Sequence, residues 1–129
     1  MRASITGEIV LQDCFVSDAN VFPDIRGLKG PFSCLNNARF GIVWGALGAA
    51  ENCYQRARDY VMNRQQFGYP LGSMQLVQTK LANMVTAITQ MQLLSWRLSS
   101  LKDEDRASPD MISLAKRNNT GAALNIARQ

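Results

Sequence analysis

Asn63-Arg64-Gln65-Gln66-Phe67-Gly68-Tyr69-Pro70-Leu71 is the stretch that decides the fold. It lies between two long segments with apolar residues at three- and four-residue steps, and Gly68 and Pro70 end the first helix and reverse the chain. Before it, Val43, Leu47, Ala50, Tyr54, Ala57 and Val61 form one buried stripe on a helix predicted from Pro31 to about Arg64. Pro31 suits the first turn, where its missing N–H costs nothing. After it, Ser73 is placed to cap a second helix. Val77, Leu81, Met84, Ile88, Met91 and Leu98 then keep the rhythm to about Leu101.

Working outward, Asp103-Glu104-Asp105 reads as a polar turn. Ser108-Pro109-Asp110 reads as a helix start: a cap, a first-turn proline and an acid near the positive helix end. Met111, Leu114, Ala115, Ala122 and Ile126 continue that third helix to Gln129. At the other end, residues 2–11 alternate, with Ala3, Ile5, Gly7, Ile9 and Leu11 on one side; Gln12-Asp13 can turn the chain and Cys14-Phe15-Val16 return, which predicts a β-hairpin. Ser17 to Gly30 holds Pro23, Gly27 and Gly30 with no sustained period, as a linker does. Gly41, Gly45 and Gly48 interrupt the first helix at roughly 1 kcal/mol each relative to alanine. The expected compensation is close approach by a neighbouring backbone or a ligand. The fold class expected is mainly α: a short N-terminal β-hairpin, then three long antiparallel helices of an incomplete up-and-down four-helix bundle. Three single-striped helices leave a groove that a fourth would fill, and a lone hairpin is only marginally stable. Both suggest a piece of a larger protein.

The 129 residues have room for one modest core. The 47% apolar and 19% charged composition fits a globular chain, and the net charge of +4 is dispersed, which argues against a nucleic-acid surface. With no histidine, His-based acid–base chemistry, triads and the commonest zinc sites are excluded. Cys14, Cys34 and Cys53 are odd in number and widely spaced, so they read as reduced thiols with no metal cluster. The longest apolar run, Phe40 to Ala50, falls short of the about 20 residues that span a bilayer, so no membrane insertion is expected.

Few residues carry chemistry. Arg64, at the end of the first helix, either compensates the helix dipole or clamps a phosphate with two guanidinium donors. Gln75 lies at the start of the next helix, where exposed N–H groups also favour an anion. Phe67, between them, is either a core turn anchor or a surface for an aromatic ring. Asn36-Asn37-Ala38-Arg39, expected in the first two turns of the first helix, is either a solvated start or a polar cluster suited to a phosphorylated ligand. Trp44 and Trp96 read as core or interface, and Lys116-Arg117 as a solvated face.

The element from Arg64 to Gly68, with Gln75 and Leu81-Ala82-Asn83-Met84, resembles the helical-domain signature of the acyl-CoA dehydrogenases. Within that family, Gly30-Pro31-Phe32-Ser33-Cys34-Leu35-Asn36-Asn37-Ala38-Arg39-Phe40-Gly41-Ile42-Val43-Trp44-Gly45 looks like the glutaryl-CoA dehydrogenases. So do Leu101 to Glu104, Pro109 to Leu114 and Lys116-Arg117-Asn118-Asn119. The resemblance implies an FAD enzyme that oxidises glutaryl-CoA and decarboxylates the product to crotonyl-CoA in lysine and tryptophan breakdown. Electrons would pass to an electron-transferring flavoprotein, the protein would assemble as a homo-tetramer, and its location would be a bacterial cytoplasm or a mitochondrial matrix. It further implies that residues 1–22 are the tail of a β middle domain, 23–30 a linker and 31–129 an incomplete C-terminal bundle. Phe32, Ser33, Cys34, Leu35, Asn36, Asn37, Ala38 and Arg39 would line the acyl-CoA site, with Arg39 the best direct contact. Arg64, Phe67 and Gln75 would hold the FAD of the neighbouring subunit. The family's catalytic glutamate, in a Tyr-Glu-Gly motif, has no counterpart here, so the chain alone is expected to lack turnover. Thr120 and Ala122 stand where relatives are expected to carry cysteine and lysine. The alternatives are another acyl-CoA dehydrogenase, or a non-catalytic helical interaction module.

Overall fold

Apolar residues at alternating three- and four-residue steps drive the architecture, because such a stripe winds slowly enough around a helix to face one neighbour along its length. The computed structural model describes residues 3–129. Its elements are α1 (Lys29–Asn63), β1 (Gln65–Gln66), β2 (Tyr69–Pro70), α2 (Gln75–Asp103) and α3 (Pro109–Ala127). Val43 of α1 meets Leu98 of α2 and Ile112 and Ala115 of α3. Farther along, Leu47 and Ala50 meet Met84, Ile88 and Met91 of α2 and Ile126 of α3. Numbers rise along α1 and α3 where they fall along α2, so α2 runs antiparallel to both, as an up-and-down bundle requires. The expected stripes on α1 and α2 are the ones buried.

The third stripe is shifted. Of the expected stripe, Ala115 and Ile126 are buried but Met111 and Leu114 are exposed, and Ile112 and Asn119, outside that stripe, are buried as well. Met111 and Leu114 line an open, largely apolar groove with Leu94, Leu98 and Leu101 of α2. Between the two apolar clusters sits a polar layer. Asn119 donates through Nδ2 to the Val43 carbonyl at 3.1 Å and to Ser95 Oγ at 2.9 Å, and Ser95 Oγ donates to the Met91 carbonyl at 2.7 Å.

The helix ends follow local chemistry. α2 closes in a Schellman arrangement: the Arg106 amide donates to Leu101 at 2.7 Å and the Asp105 amide to Lys102 at 3.1 Å. Asp105 takes the left-handed conformation this closure needs, at φ 54°. Glu104 and Asp105 thus form the exposed polar turn that was expected, with Asp103 exposed as the last residue of α2. Ser73 does not cap α2. Its hydroxyl donates to the Pro70 carbonyl at 2.8 Å within a 3-10 turn, Leu71–Ser73, and Met74 holds the cap position.

The N-terminal hairpin is absent among the described residues; residue 2, its first, lies outside them. Residues 3–17 form no strand, and Ile5 and Phe15 are 97% and 93% exposed. The bend at Gln12-Asp13 is present, with Asp13 at φ 47°, but no ladder follows it. Two strands with no third strand or helix to cover their apolar face lack the burial that would hold them together. The two-stranded antiparallel sheet lies instead at the helix reversal, where Gln65 pairs with Pro70 and Gln66 with Tyr69. No helix is long and apolar enough to cross a membrane, and no group of three metal-ligating side chains occurs among the described residues.

Candidate functional site

The reversal between α1 and α2 is a tight corner. Phe67 and Gly68 occupy its two central positions with φ 55° and φ 83°, the positive pair that a two-residue hairpin needs to match strand twist. Glycine tolerates this; phenylalanine does so under strain. Phe67 is also 85% exposed, which removes the core-anchor reading and leaves an aromatic ring held out from the turn.

The same hairpin fixes the flanking polar groups. The Arg64 amide donates to Tyr60 at 2.8 Å and closes α1, while the Leu71 amide donates to the Arg64 carbonyl at 2.8 Å. The main chain of Arg64 is therefore clamped from both sides, and its exposed guanidinium makes no ion pair or hydrogen bond among the described residues. Gln75 is the first residue of α2 and is likewise exposed, with its carboxamide unengaged. Arg64, Phe67 and Gln75 thus share one end of the bundle. One further residue positions them. A Cβ on Gly72 would lie 3.0 Å from Met62 Sδ and 3.5 Å from the Val61 carbonyl, so the corner seats closely against the last turns of α1, and a larger residue there would push the Met62 side chain aside. Gln78 Nε2 donates to the Gly72 carbonyl at 3.0 Å, tying α2 to the same point. A glycine between Leu71 and Ser73, just outside a helix, was the available signal.

The second group lies near the other end of α1. The helix begins at Lys29, so Asn36 to Arg39 fall beyond its first two turns. Their amides are already bonded within the helix, and any attraction for an anion must come from side chains. Helical geometry divides the run among faces. Phe32, Asn36 and Arg39 share one, with Phe32 exposed and the other two half-buried. Arg39 Nη1 donates to Asn36 Oδ1 at 3.1 Å, which orients the guanidinium. Ser33 and Asn37 point elsewhere: Ser33 Oγ donates to the Gly30 carbonyl at 2.7 Å, and Asn37 Oδ1 accepts from Lys102 Nζ of α2 at 3.0 Å. That ammonium also lies 5.3 Å from the centre of the Phe40 ring. Cys34 is a free, exposed thiol, and Leu35 and Ala38 are exposed as well.

Arg39 faces α3 across an open cleft that it lines with Ser113, Lys116, Arg117 and Thr120. Lys116 and Arg117 read from the sequence as a solvated face. The signal that places them was the spacing 113, 116, 117, 120, which puts all four residues on one side of α3. Trp44 and Trp96 lie outside the core, and Trp44 Nε1 donates to Ser99 Oγ at 3.2 Å.

Residues 26–129 match the family profile described as "Acyl-CoA dehydrogenase, C-terminal domain". The chain belongs to the acyl-CoA dehydrogenase family. Among curated acyl-CoA dehydrogenases, the mitochondrial short-chain specific enzyme of Rattus norvegicus is 35% identical over 130 residues, covering 100% of this chain and 32% of that protein. The chain therefore spans about a third of such a relative's length. Among solved structures, a glutaryl-CoA dehydrogenase of Mycobacterium smegmatis in complex with FADH2 is 46% identical. It superposes with a TM-score of 0.80 over 82% of this chain and 28% of that one. Butyryl-CoA dehydrogenase of Megasphaera elsdenii is 31% identical with a TM-score of 0.74, over 78% of this chain and 26% of that one.

Proposed function

We propose that this chain is the C-terminal helical part of an FAD-dependent acyl-CoA dehydrogenase whose substrate is glutaryl-CoA. The observation that carries the flavin reading is the α1–α2 corner, where an unpaired guanidinium, a carboxamide at a helix start and an outward aromatic ring are fixed by one hairpin. These groups fit FAD: Arg64 and Gln75 suit its pyrophosphate, since a guanidinium donates two parallel hydrogen bonds and the first amides of α2 lack helical partners. Phe67 suits one of its rings. Bound FAD would accept the hydride of substrate oxidation, and on this reading the flavin belongs to a neighbouring subunit of a homo-tetramer. Phe32 to Arg39 contribute to the acyl-CoA site, with Arg39 the direct contact. An electron-transferring flavoprotein receives the electrons, in a bacterial cytoplasm or a mitochondrial matrix, as a step of lysine breakdown. Residues 1–22 are then the tail of the β middle domain, 23–30 the linker and 31–129 the bundle.

The choice of glutaryl-CoA draws support from the 46% identity to the Mycobacterium smegmatis enzyme. The second reading, a short-chain acyl-CoA substrate, draws support from the curated relatives of that name. The catalytic base is proposed to lie outside these residues, because no carboxylate lines the Arg39 cleft and Asp103 to Asp105 are exposed around the turn that ends α2.

Flavin fluorescence quenching during titration with FAD tests the cofactor reading. Quenching by the 129-residue chain, weakened at least tenfold in Arg64→Ala and in Gln75→Ala, is expected; equal binding by all three proteins sinks it. Glutaryl-CoA with an artificial electron acceptor should give no sustained turnover with this chain, and turnover would overturn the placement of the base.

A further inference from the structure

We infer that the cleft between α1 and α3 is a phosphate-binding site in which Lys116 and Arg117 supply charge opposite Arg39. The three cations line one concave surface, and no carboxylate lines it with them. The ion pairs among the described residues are elsewhere, at Arg58–Asp59 and Arg106–Glu104. Like charges gathered without an acid repel one another, and a bound anion removes that repulsion while gaining attraction to all three. The hydroxyls of the cleft have their hydrogens engaged: Ser113 Oγ donates to the Pro109 carbonyl at 2.8 Å and Thr120 Oγ1 to the Lys116 carbonyl at 2.8 Å. The donors free to meet a ligand are therefore the cations. Arg39 spends Nη1 on Asn36 and keeps its other N–H groups. Lys102, the other base nearby, is taken up by Asn37 and the Phe40 ring and is no part of the site.

Three positive groups match a multiply charged phosphate better than a single carboxylate. The inference rests on the acyl-CoA reading for the source of that phosphate, which would be the coenzyme A portion of the substrate, and it adds α3 to the contacts proposed from α1.

Calorimetric titration of the 129-residue chain with inorganic pyrophosphate, coenzyme A and pantetheine tests it. Lys116→Gln and Arg117→Gln should each weaken pyrophosphate and coenzyme A roughly three- to tenfold, about the loss of one exposed charge-assisted contact. Lys116→Arg, which keeps the charge, should bind as the parent does, and Arg56→Gln, outside the cleft, should change nothing. Pantetheine, which has no phosphate, should not respond to any variant. Pyrophosphate binding that is absent, or indifferent to Lys116 and Arg117, overturns the site. Coenzyme A binding that ignores both residues leaves the acyl-CoA reading standing and removes the cleft. Pyrophosphate binding that needs them, with no coenzyme A binding, keeps the cleft and removes the acyl-CoA reading.

Discussion

The Asn119 carboxamide of α3 donates to the Ser95 hydroxyl of α2 at 2.9 Å, and both side chains are wholly buried. Every polar atom of the pair is satisfied: Asn119 also reaches the Val43 carbonyl and accepts from Asn118 at 3.2 Å, while Ser95 donates to Met91. A satisfied polar layer in an apolar core sets register, because sliding any helix by one turn strands its groups without partners. Asn119→Ala should cost about 2–4 kcal/mol from the lost bonds and the void. Ser95→Ala should cost about 1 kcal/mol, since Asn119 keeps Val43. Urea unfolding of both singles and the double should return a coupling of roughly 1 kcal/mol. Strict additivity would mean that the two side chains act independently.

Gly41, Gly45 and Gly48 have nothing within 4 Å of where a Cβ would stand. Among the described residues none makes the close approach expected from the sequence, and in this chain each glycine weakens an exposed part of α1. Alanine at each position should raise thermal stability by about 0.5–1 kcal/mol. A loss of stability at any of them would reveal a packing partner in solution, and size-exclusion chromatography of the variant would then show a change in assembly.

The stripes of α1 and α2 were legible because their spacing is unbroken and the Gly68-Pro70 reversal leaves one way to pair them. α3 was less so. Its sequence offers two apolar edges, Met111 with Leu114 and Ile112 with Ala115 and Ile126, and a buried asparagine disguises the second. Only the partner groups on α1 and α2 decide between them, and those are distant in sequence. The N-terminal alternation failed for the opposite reason: the local pattern is present, but what would bury it is not among the described residues. At the candidate site, the helix-end positions of Arg64 and Gln75 were legible in the sequence, and the structure places them there. Lys116 and Arg117 read as a solvated face because the cleft they line depends on Arg39 standing across from them, which is distant in sequence.

Asp110 lies in the first turn of α3, and the nearby Ser108 hydroxyl holds its carboxyl below the usual aspartate value, with help from the backbone amides of Asp110 and Met111. That hydroxyl is buried and makes no full hydrogen bond among the described residues. A depressed carboxyl favours the folded state wherever it is ionised. Its contribution is fully present above the unfolded-state value and disappears as pH falls through the lower folded value. Asp110→Asn should therefore flatten the acid limb of a stability–pH profile and leave the neutral region's slope unchanged. An unaltered acid limb would show that the carboxyl is not coupled to folding.

Phe67 occupies a conformation that disfavours its own side chain, at φ 55°, in order to hold its ring in solvent. A hairpin alone would prefer glycine there, since the left-handed region costs a β-carbon roughly 1–2 kcal/mol and glycine almost nothing. Phe67→Gly should stabilise the chain by about 0.5–1 kcal/mol once glycine's greater freedom in the unfolded state is subtracted. On the proposed flavin reading, the same substitution should weaken FAD binding severalfold, because the ring that meets the cofactor is gone while Arg64 and Gln75 remain. Chemical unfolding and fluorescence titration on one protein give the two signs together. Stability and affinity falling in parallel would instead make Phe67 an ordinary structural residue of the turn, and the strain at φ 55° would then have no functional account.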